Sequence, residues 1–368
     1  MELTKCKLGE LITQRREKND GSDLPICGVS KDGLIPPKQK DADTSIYNVF
    51  YRDDFIFNPA RMELNSIAIN DMYDRAICSS LYEVFYVHRT DLLLPHYLKL
   101  IIRQKWFTRY CEFLGQGSAR EYCRFSNISE IEIEFPPVEE QQKIVDYNTV
   151  IENRIALKQK INDNLEATLS ALYKEFFTIT SSDELPFGWR VAPFSDIAAI
   201  TMGQSPQGDD CNNDGVGEPL LNGPTEFGFY SPSPVQWTTN GKKHCAEGDL
   251  LFCVRGSTTG RMNWANQSYA IGRGLAAIHH KSDCTLNWFV KAMIDNSLQE
   301  ILSAATGSTF PNVGKDLLNG FQVIIPDDNS LREFGVKGHS IFSMISNNAK
   351  EIDVLVGLQR TLLSKLTI

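Results

Sequence analysis

The stretch VEEQQKIVDYNTVIENRIALKQKINDNLEATLSALYKEFF, residues 138–177, contains neither glycine nor proline. Those are the two residue types that most disfavour a helix interior. Its apolar positions Ile144, Ile151, Ile155, Leu165, Leu169, Leu172 and Phe176 follow alternating four- and three-residue steps, with Asn148, Lys158 and Asn162 in the intervening places. A second series runs Ile341, Ile345, Asn348, Ile352, Leu355, Gln359, Leu362, Leu366, and it stays in phase with the first at a separation of 190 residues. An average step of 3.5 residues marks a coiled-coil seam. Pro136-Pro137 and Asp327-Asp328-Asn329-Ser330 supply the start signals, while Gly335 and Gly338 weaken the first turns of the second helix. Two helices of this length, each about 60 Å long at about 1.5 Å per residue, are expected to pair in fixed register. The alternative is two ordinary core helices, which average about 11–12 residues.

Outward from the helices, the second half of the chain echoes the first. Asp54-Phe55-Ile56-Phe57 matches Asp249-Leu250-Leu251-Phe252, and Ala76-Ile77-Cys78 matches Ala270-Ile271-Gly272. Leu94 to Leu98 matches Leu286 to Val290, Gly117-Ser118 matches Gly307-Ser308, and Phe135-Pro136 matches Ile325-Pro326, all in the same order. Such self-similarity implies one architecture built twice. The parts before each helix read as mixed α/β. Tyr82 to Val87, Ile131 to Phe135 and Phe321 to Ile325 alternate like strands, whereas Pro95 to Phe113 and Trp288 to Ala305 read as helices. Met202 to Pro234, rich in Gly, Pro, Asn and Asp, reads mostly as loop. The expected fold class is α+β, with two similar recognition domains separated by two long antiparallel helices in a pseudo-two-fold repeat. The expected boundaries are 1–136, 137–178, 179–326 and 327–368.

Composition narrows the function classes. The chain has 368 residues, a formal net charge of -9 and nine scattered cysteines without a Cys-x-x-Cys pair. Neither a disulfide framework nor a zinc knuckle is expected, and reduced thiols fit a cytoplasmic setting. No apolar run is long enough for a membrane span. In every segment acids match or outnumber basic residues, which argues against a DNA-coating protein but not against a focused reader. Catalytic signatures are missing: there is no phosphate loop, no Gly-x-Gly-x-x-Gly, no His-Glu-x-x-His and no Glu-x-Lys, and Asn58-Pro59-Ala60 is not an amino-methyltransferase motif. The adjacent His279-His280 reads as a surface pair rather than a metal site. A scaffold joining two modules, or an enzyme with an unrecognised site, are the competing readings.

These residues resemble the specificity subunits of type I restriction-modification enzymes. The resemblance is carried by Met202-Gly203-Gln204-Ser205-Pro206, by Glu247 to Ser257, by Gly260-Arg261 and by Ala270 to Leu275. Gly307-Ser308-Thr309 and Pro136-Pro137-Val138-Glu139-Glu140-Gln141 add to it, while the first half lacks a counterpart of Arg255-Gly256-Ser257 and the second helix lacks the Glu-Gln. The resemblance implies a non-catalytic subunit whose two target-recognition domains each read half of a split double-stranded DNA site. It also implies two methyltransferase subunits and motor-endonuclease subunits as partners. S-adenosylmethionine, ATP and magnesium would be used by those partners, this chain carrying no cofactor of its own.

Loop residues able to reach base edges are the expected contacts, since Arg and Lys suit guanine, Asn and Gln suit adenine, and Ser and Thr suit either. In the first half these are Lys38, Gln39, Lys40, Arg61, Arg75, Ser118, Arg120 and Arg124. In the second they are Gln204, Ser205, Asn222, Lys242, Lys243, Arg255, Ser257, Thr258, Arg261, Arg273 and Thr309. Gly203, Gly256 and Gly307 are read as turn formers.

Overall fold

The computed structural model describes residues 3–31, 33–37, 43–115, 122–177, 185–305, 311–364 and 366. The chain forms two compact units, residues 1–155 with 354–368, and residues 156–353.

The first unit contains β1 (Thr4–Lys7), β2 (Ile12–Arg15), β3 (Ile26–Ser30), β4 (Gly33–Ile35), β5 (Asn48–Tyr51), β6 (Phe55–Phe57), β7 (Ile67–Ile69), β8 (Arg75–Cys78), β9 (Glu83–Val87) and β10 (Glu132–Phe135). Its helices are α1 (Pro95–Ile102), α2 (Lys105–Gly115), α3 (Phe125–Ser129), the start of α4 (Val138–Phe177) and the end of the last helix, residues 354–364. One antiparallel sheet has the order β2-β9-β6-β7, a second the order β4-β3-β8-β5 with β3 and β8 parallel, and β1 pairs with β10. Phe55 stacks on Phe85 at 5.0 Å between ring centroids, inside a core closed by α1 and α2. Asp54, at the head of β6, is buried and takes a bidentate bond from Arg15 on β2 (2.6 and 3.0 Å). The Arg15 guanidinium lies between the Tyr51 and Tyr86 rings, 4.7 and 4.6 Å from their centroids.

The second unit contains β11 (Arg190–Pro193), β12 (Ala198–Met202), β13 (Cys211–Asn212), β14 (Glu218–Leu221), β15 (Gln236–Thr238), β16 (His244–Cys245), β17 (Leu250–Cys253), β18 (Met262–Trp264), β19 (Tyr269–Ile271), β20 (Leu275–His280) and β21 (Gln322–Ile325). Its helices are the end of α4, α5 (Asn287–Ala304), α6 (Lys315–Gly320) and most of α7 (Asp328–Ser364). The antiparallel sheet has the order β12-β20-β17-β18, and the mixed sheet the order β13-β15-β14-β19-β16 with β14 and β19 parallel. Strand for strand, these are the orders of the first unit with β13 added at one edge. The short strands β13 and β14 lie inside the stretch expected to be loop. Asp249, at the head of β17, is a buried acid like Asp54, but among the described residues no arginine meets it; Nδ1 of His279 on β20 lies 3.3 Å away.

Within each unit α4 and α7 lie side by side, and the polar breaks in their apolar series meet. In the first unit Gln359 donates to Asn148 at 3.0 Å and to Glu152 at 3.2 Å. In the second, Asn348 donates to Asn162 at 2.8 Å, Asn162 donates to the Ile345 carbonyl at 3.1 Å, and Lys158 reaches Asn348 at 2.8 Å and Glu351 at 2.9 Å. Residue numbers rise on one helix as they fall on the other, so the pairing is antiparallel. Asn148, Asn162 and Asn348 are buried, and a slip of either helix would leave amides unmet at about 1–3 kcal/mol each. The apolar seam residues Ile151, Leu169, Ile345 and Ile352 are buried, and the other apolar residues of the two series are half-buried. Many of these apolar residues also serve the cores: Ile144 and Leu366 pack into the first, Leu165, Leu172, Phe176 and Ile341 into the second. α7 continues through Gly335 and Gly338. A Cβ on Gly338 would stand 2.2 Å from the Trp288 ring, so this glycine lets the indole lie against the helix.

His279 and His280 are not a surface pair. His280 is 9% exposed, and its Nδ1 accepts from Ser282 N at 3.3 Å and Asp283 N at 3.0 Å. Burial pushes its imidazole below the usual value. The unfolded chain therefore binds a proton that the folded chain rejects, so this contribution is complete above about pH 6.5 and is lost as pH falls below it. His280→Gln is expected to flatten that acid-side decline, read as urea midpoints from about pH 7.5 to about pH 5. An unchanged slope would assign the decline to other groups.

Candidate nucleic-acid interface

Strand direction decides which loops meet in the second unit. Met202 pairs with Ala276, Cys253 with Leu275, and Phe252 with Met262, so β12 and β17 end where β18 and β20 begin. In the mixed sheet Leu221 pairs with Ile271, His244 with Ala270, and Leu220 with Gln236, so β14 and β19 end where β15 and β16 begin. Hydrogen bonds join the two edges. Gln204 N donates to the Ile271 carbonyl at 2.9 Å, Arg273 N to Ser205 Oγ at 3.2 Å, and Ile271 N to the Lys243 carbonyl at 2.8 Å. Gly272 N donates to the Leu221 carbonyl at 2.8 Å, and Val254 N to the Gly274 carbonyl at 3.0 Å.

Loops 203–206, 222–226, 242–243, 254–261 and 272–274 therefore converge, carrying the side chains singled out from the sequence. Gln204, Asn222, Lys242, Lys243, Arg255, Ser257, Thr258, Arg261 and Arg273 are exposed, and Ser205 is half-buried under Arg273. Lys242 donates to Asn240 at 2.7 Å. Arg261 lies over the Phe227 ring, 5.9 Å from its centroid, and reaches the Pro224 carbonyl at 3.5 Å. Arg255 and Arg273 have no ion pair among the described residues. Gly256 has a φ of +96°, the left-handed turn its reading required. Gly203 has a different reason: a Cβ there would stand 2.2 Å from the Gly272 carbonyl oxygen, so close approach excludes a side chain. Thr309 and Gly307 lie outside the described residues.

The corresponding edge of the first unit bounds a cavity of about 1450 Å³. Arg61 is exposed there, with non-helical backbone (φ -140°, ψ 29°) that breaks the short helix Pro59–Leu64. Arg124 also lines the cavity, over the Tyr122 ring at 5.4 Å and 3.3 Å from Glu83. Arg75 is already engaged, 3.3 Å from Asp20 and 3.5 Å from Glu17. Hydrogen bonds from Ser22, then from Arg75, hold the Asp20 carboxyl down to about 2. Arg103 and Lys31 line the same cavity and were not anticipated: Arg103 donates to the Lys31 carbonyl from the C-terminus of α1. Lys38, Gln39, Lys40, Ser118 and Arg120 lie outside the described residues. Among the described residues no group of His, Cys, Asp or Glu could hold a metal ion, and no helix is long and apolar enough to cross a membrane.

Residues 6–167 match the family described as type I restriction modification DNA specificity domain. A chain named as a candidate MjaX specificity subunit of Methanocaldococcus jannaschii is 27% identical over 293 residues, 73% of this chain and 68% of the relative. The type I restriction enzyme MjaIX specificity subunit of the same organism is 25% identical over 297 residues, 75% of this chain and 69% of the relative. Among solved structures, the type I restriction-modification system S subunit from M. genitalium shares the fold at a TM-score of 0.57, with 14% identity over 99% of this chain and 96% of that one. Residues 6–167 thus match a type I restriction modification DNA specificity domain, and the chain is similar to specificity subunits of type I restriction enzymes.

Proposed function

We propose that this chain selects the DNA sequence on which a type I restriction-modification complex acts and performs no chemistry itself. Each unit reads one half of a split duplex site, and methyltransferase and motor-endonuclease subunits supply methyl transfer and cleavage. The observation that carries this reading is the convergence, at one sheet edge of the second unit, of exposed arginine, lysine, amide and hydroxyl side chains on rigid strand ends. That set can form donor and acceptor patterns against base edges. Phosphate contacts by the partners would supply the salt-dependent share of affinity. Sequencing the host methylome with and without this gene tests it: loss of one bipartite methylated motif is expected, and an unaltered methylome overturns it.

Arg261→Ala is expected to weaken binding to the cognate duplex by about 1–3 kcal/mol, as loss of a base contact does. Equal weakening on cognate and scrambled duplexes would make Arg261 a phosphate contact. In this reading the paired long helices act as a ruler for the unread spacer between half-sites. Four residues inserted between Thr178 and Asp183, after the end of α4, would add about 6 Å if they extended the helix, against about 3.4 Å per base pair. The methylated motif should then gain about one spacer base pair with both half-sites unchanged. An altered half-site with the old spacer would refute the ruler.

A further inference from the structure

Asn222, directly after β14 on the reading edge, stands apart from its cationic neighbours. Its Nδ2 donates to Gln236 Oε1 at 2.6 Å, and Gln236 is the first residue of the adjoining strand β15. Close glycine backbone surrounds it. A Cβ on Gly272 would stand 2.5 Å from Asn222 Oδ1, and one on Gly274 would stand 2.4 Å from the Asn222 carbonyl oxygen. Gly272 and Gly274 thus vacate the space in which Asn222 lies, and Asn222 itself remains exposed.

We propose that Asn222 is the residue that reads an adenine in the half-site of the second unit, with Gln236 as its positioning residue. This rests on the DNA-specificity reading above. In the major groove adenine offers an acceptor, N7, beside a donor, the N6 amino group. A single planar amide offers the matching donor and acceptor side by side, whereas the nearby guanidinium groups of Arg255, Arg261 and Arg273 have donors only and suit guanine. An amide that turns over presents its pair in reverse. The bond to Gln236 fixes which side carries nitrogen and occupies one N–H, leaving the second N–H for N7 and Oδ1 for the amino group. Gln236 acts through Asn222 and need not touch the base.

The test uses the full-length chain assembled with methyltransferase subunits, selecting bound duplexes from a randomised library. Asn222→Ala is expected to lower the preference for adenine at one position by about ten- to a hundredfold, the worth of a good bidentate contact, with every other position unchanged. Gln236→Leu should lower preference at that same position by a smaller factor. Gln236→Glu keeps an acceptor for the Asn222 N–H and should retain the preference while weakening all duplexes alike through its charge. An unchanged motif for Asn222→Ala, a uniform loss on all sequences, or loss of the half-site read by the first unit would each overturn the assignment. If the wild-type assembly enriches no sequence, the specificity reading falls, and this inference with it.

Discussion

Phe334→Ala is expected to remove about 3–5 kcal/mol from the stability of the second unit, the usual cost of emptying a buried phenylalanine site. Phe334 on α7 is fully buried and joins three helices. Its ring centroid lies 4.6 Å from Phe177 and 5.2 Å from Phe176 on α4, and 4.9 Å from Trp288 on α5. The contact with Phe177 is edge-to-face, a geometry that adds about 0.5–1.5 kcal/mol beyond burial, and close-packed helices cannot collapse into the vacancy without moving one another. Four of the five tryptophans, Trp189, Trp237, Trp264 and Trp288, belong to this unit and Trp106 to the first, so tryptophan fluorescence of a Trp106→Phe background during urea unfolding reports on the second unit. Phe334→Leu, which keeps most of the volume, should cost less than half as much. A loss under about 1 kcal/mol for the alanine variant would mean that the joint does not hold the unit together.

Arg15→Met is expected to cost the first unit about 3–5 kcal/mol at neutral pH, because it strands a buried carboxylate. The Asp54 side chain is 2% exposed, and Tyr51 N, donating at 2.8 Å, would be its remaining hydrogen-bond partner among the contacts described above. Burial already pushes this carboxyl above its usual value, against the opposing pull of Arg15. Without Arg15 the folded-state value rises further. A carboxyl raised in this way is favourable below its unfolded value, near 3.9, and loses that contribution as pH rises through the folded value. The deficit should therefore be largest near pH 7 and shrink toward about pH 5, provided both urea midpoints are referenced to wild type at the same pH. An equal deficit at both pH values would locate the loss in the stacking on Tyr51 and Tyr86 rather than in the charge.

The long helices were legible because their apolar period is sustained in both and glycine and proline are absent from the first, signals local to the chain. What the breaks at Asn148, Lys158 and Asn162 do was not legible, since their partners Gln359 and Asn348 lie about two hundred residues away in sequence. β13 and β14 were missed because two- and four-residue strands amid Gly, Asn and Pro have no period to detect. Arg61 and Arg75 looked alike as candidate contacts. Only the fold places Asp20 and Glu17 beside Arg75 and leaves Arg61 on a cavity wall. Gly203 needed a strand some seventy residues downstream to explain it, and no turn signature carries that information. The quoted motifs were densest in the second half, yet the family domain match falls on residues 6–167, where the sheet order rather than short motifs is shared.

The placement of the side chains proposed to read DNA also bears on how such a chain changes over generations. Gln204, Asn222, Arg255, Arg261 and Arg273 project from strand ends into solvent, and substitutions at exposed positions usually shift stability by less than about 0.5 kcal/mol. A lineage can therefore exchange one target for another while its sheets and helix seam stay as they are, with no poorly folded ancestor in between. Gly203, Gly272 and Gly274 are the exceptions, because each forbids a Cβ to keep the two sheet edges in contact. Under the proposed reading, drift should run freely through these exposed loop positions and stop at the three glycines, so that divergent relatives would read different DNA over the same glycine frame.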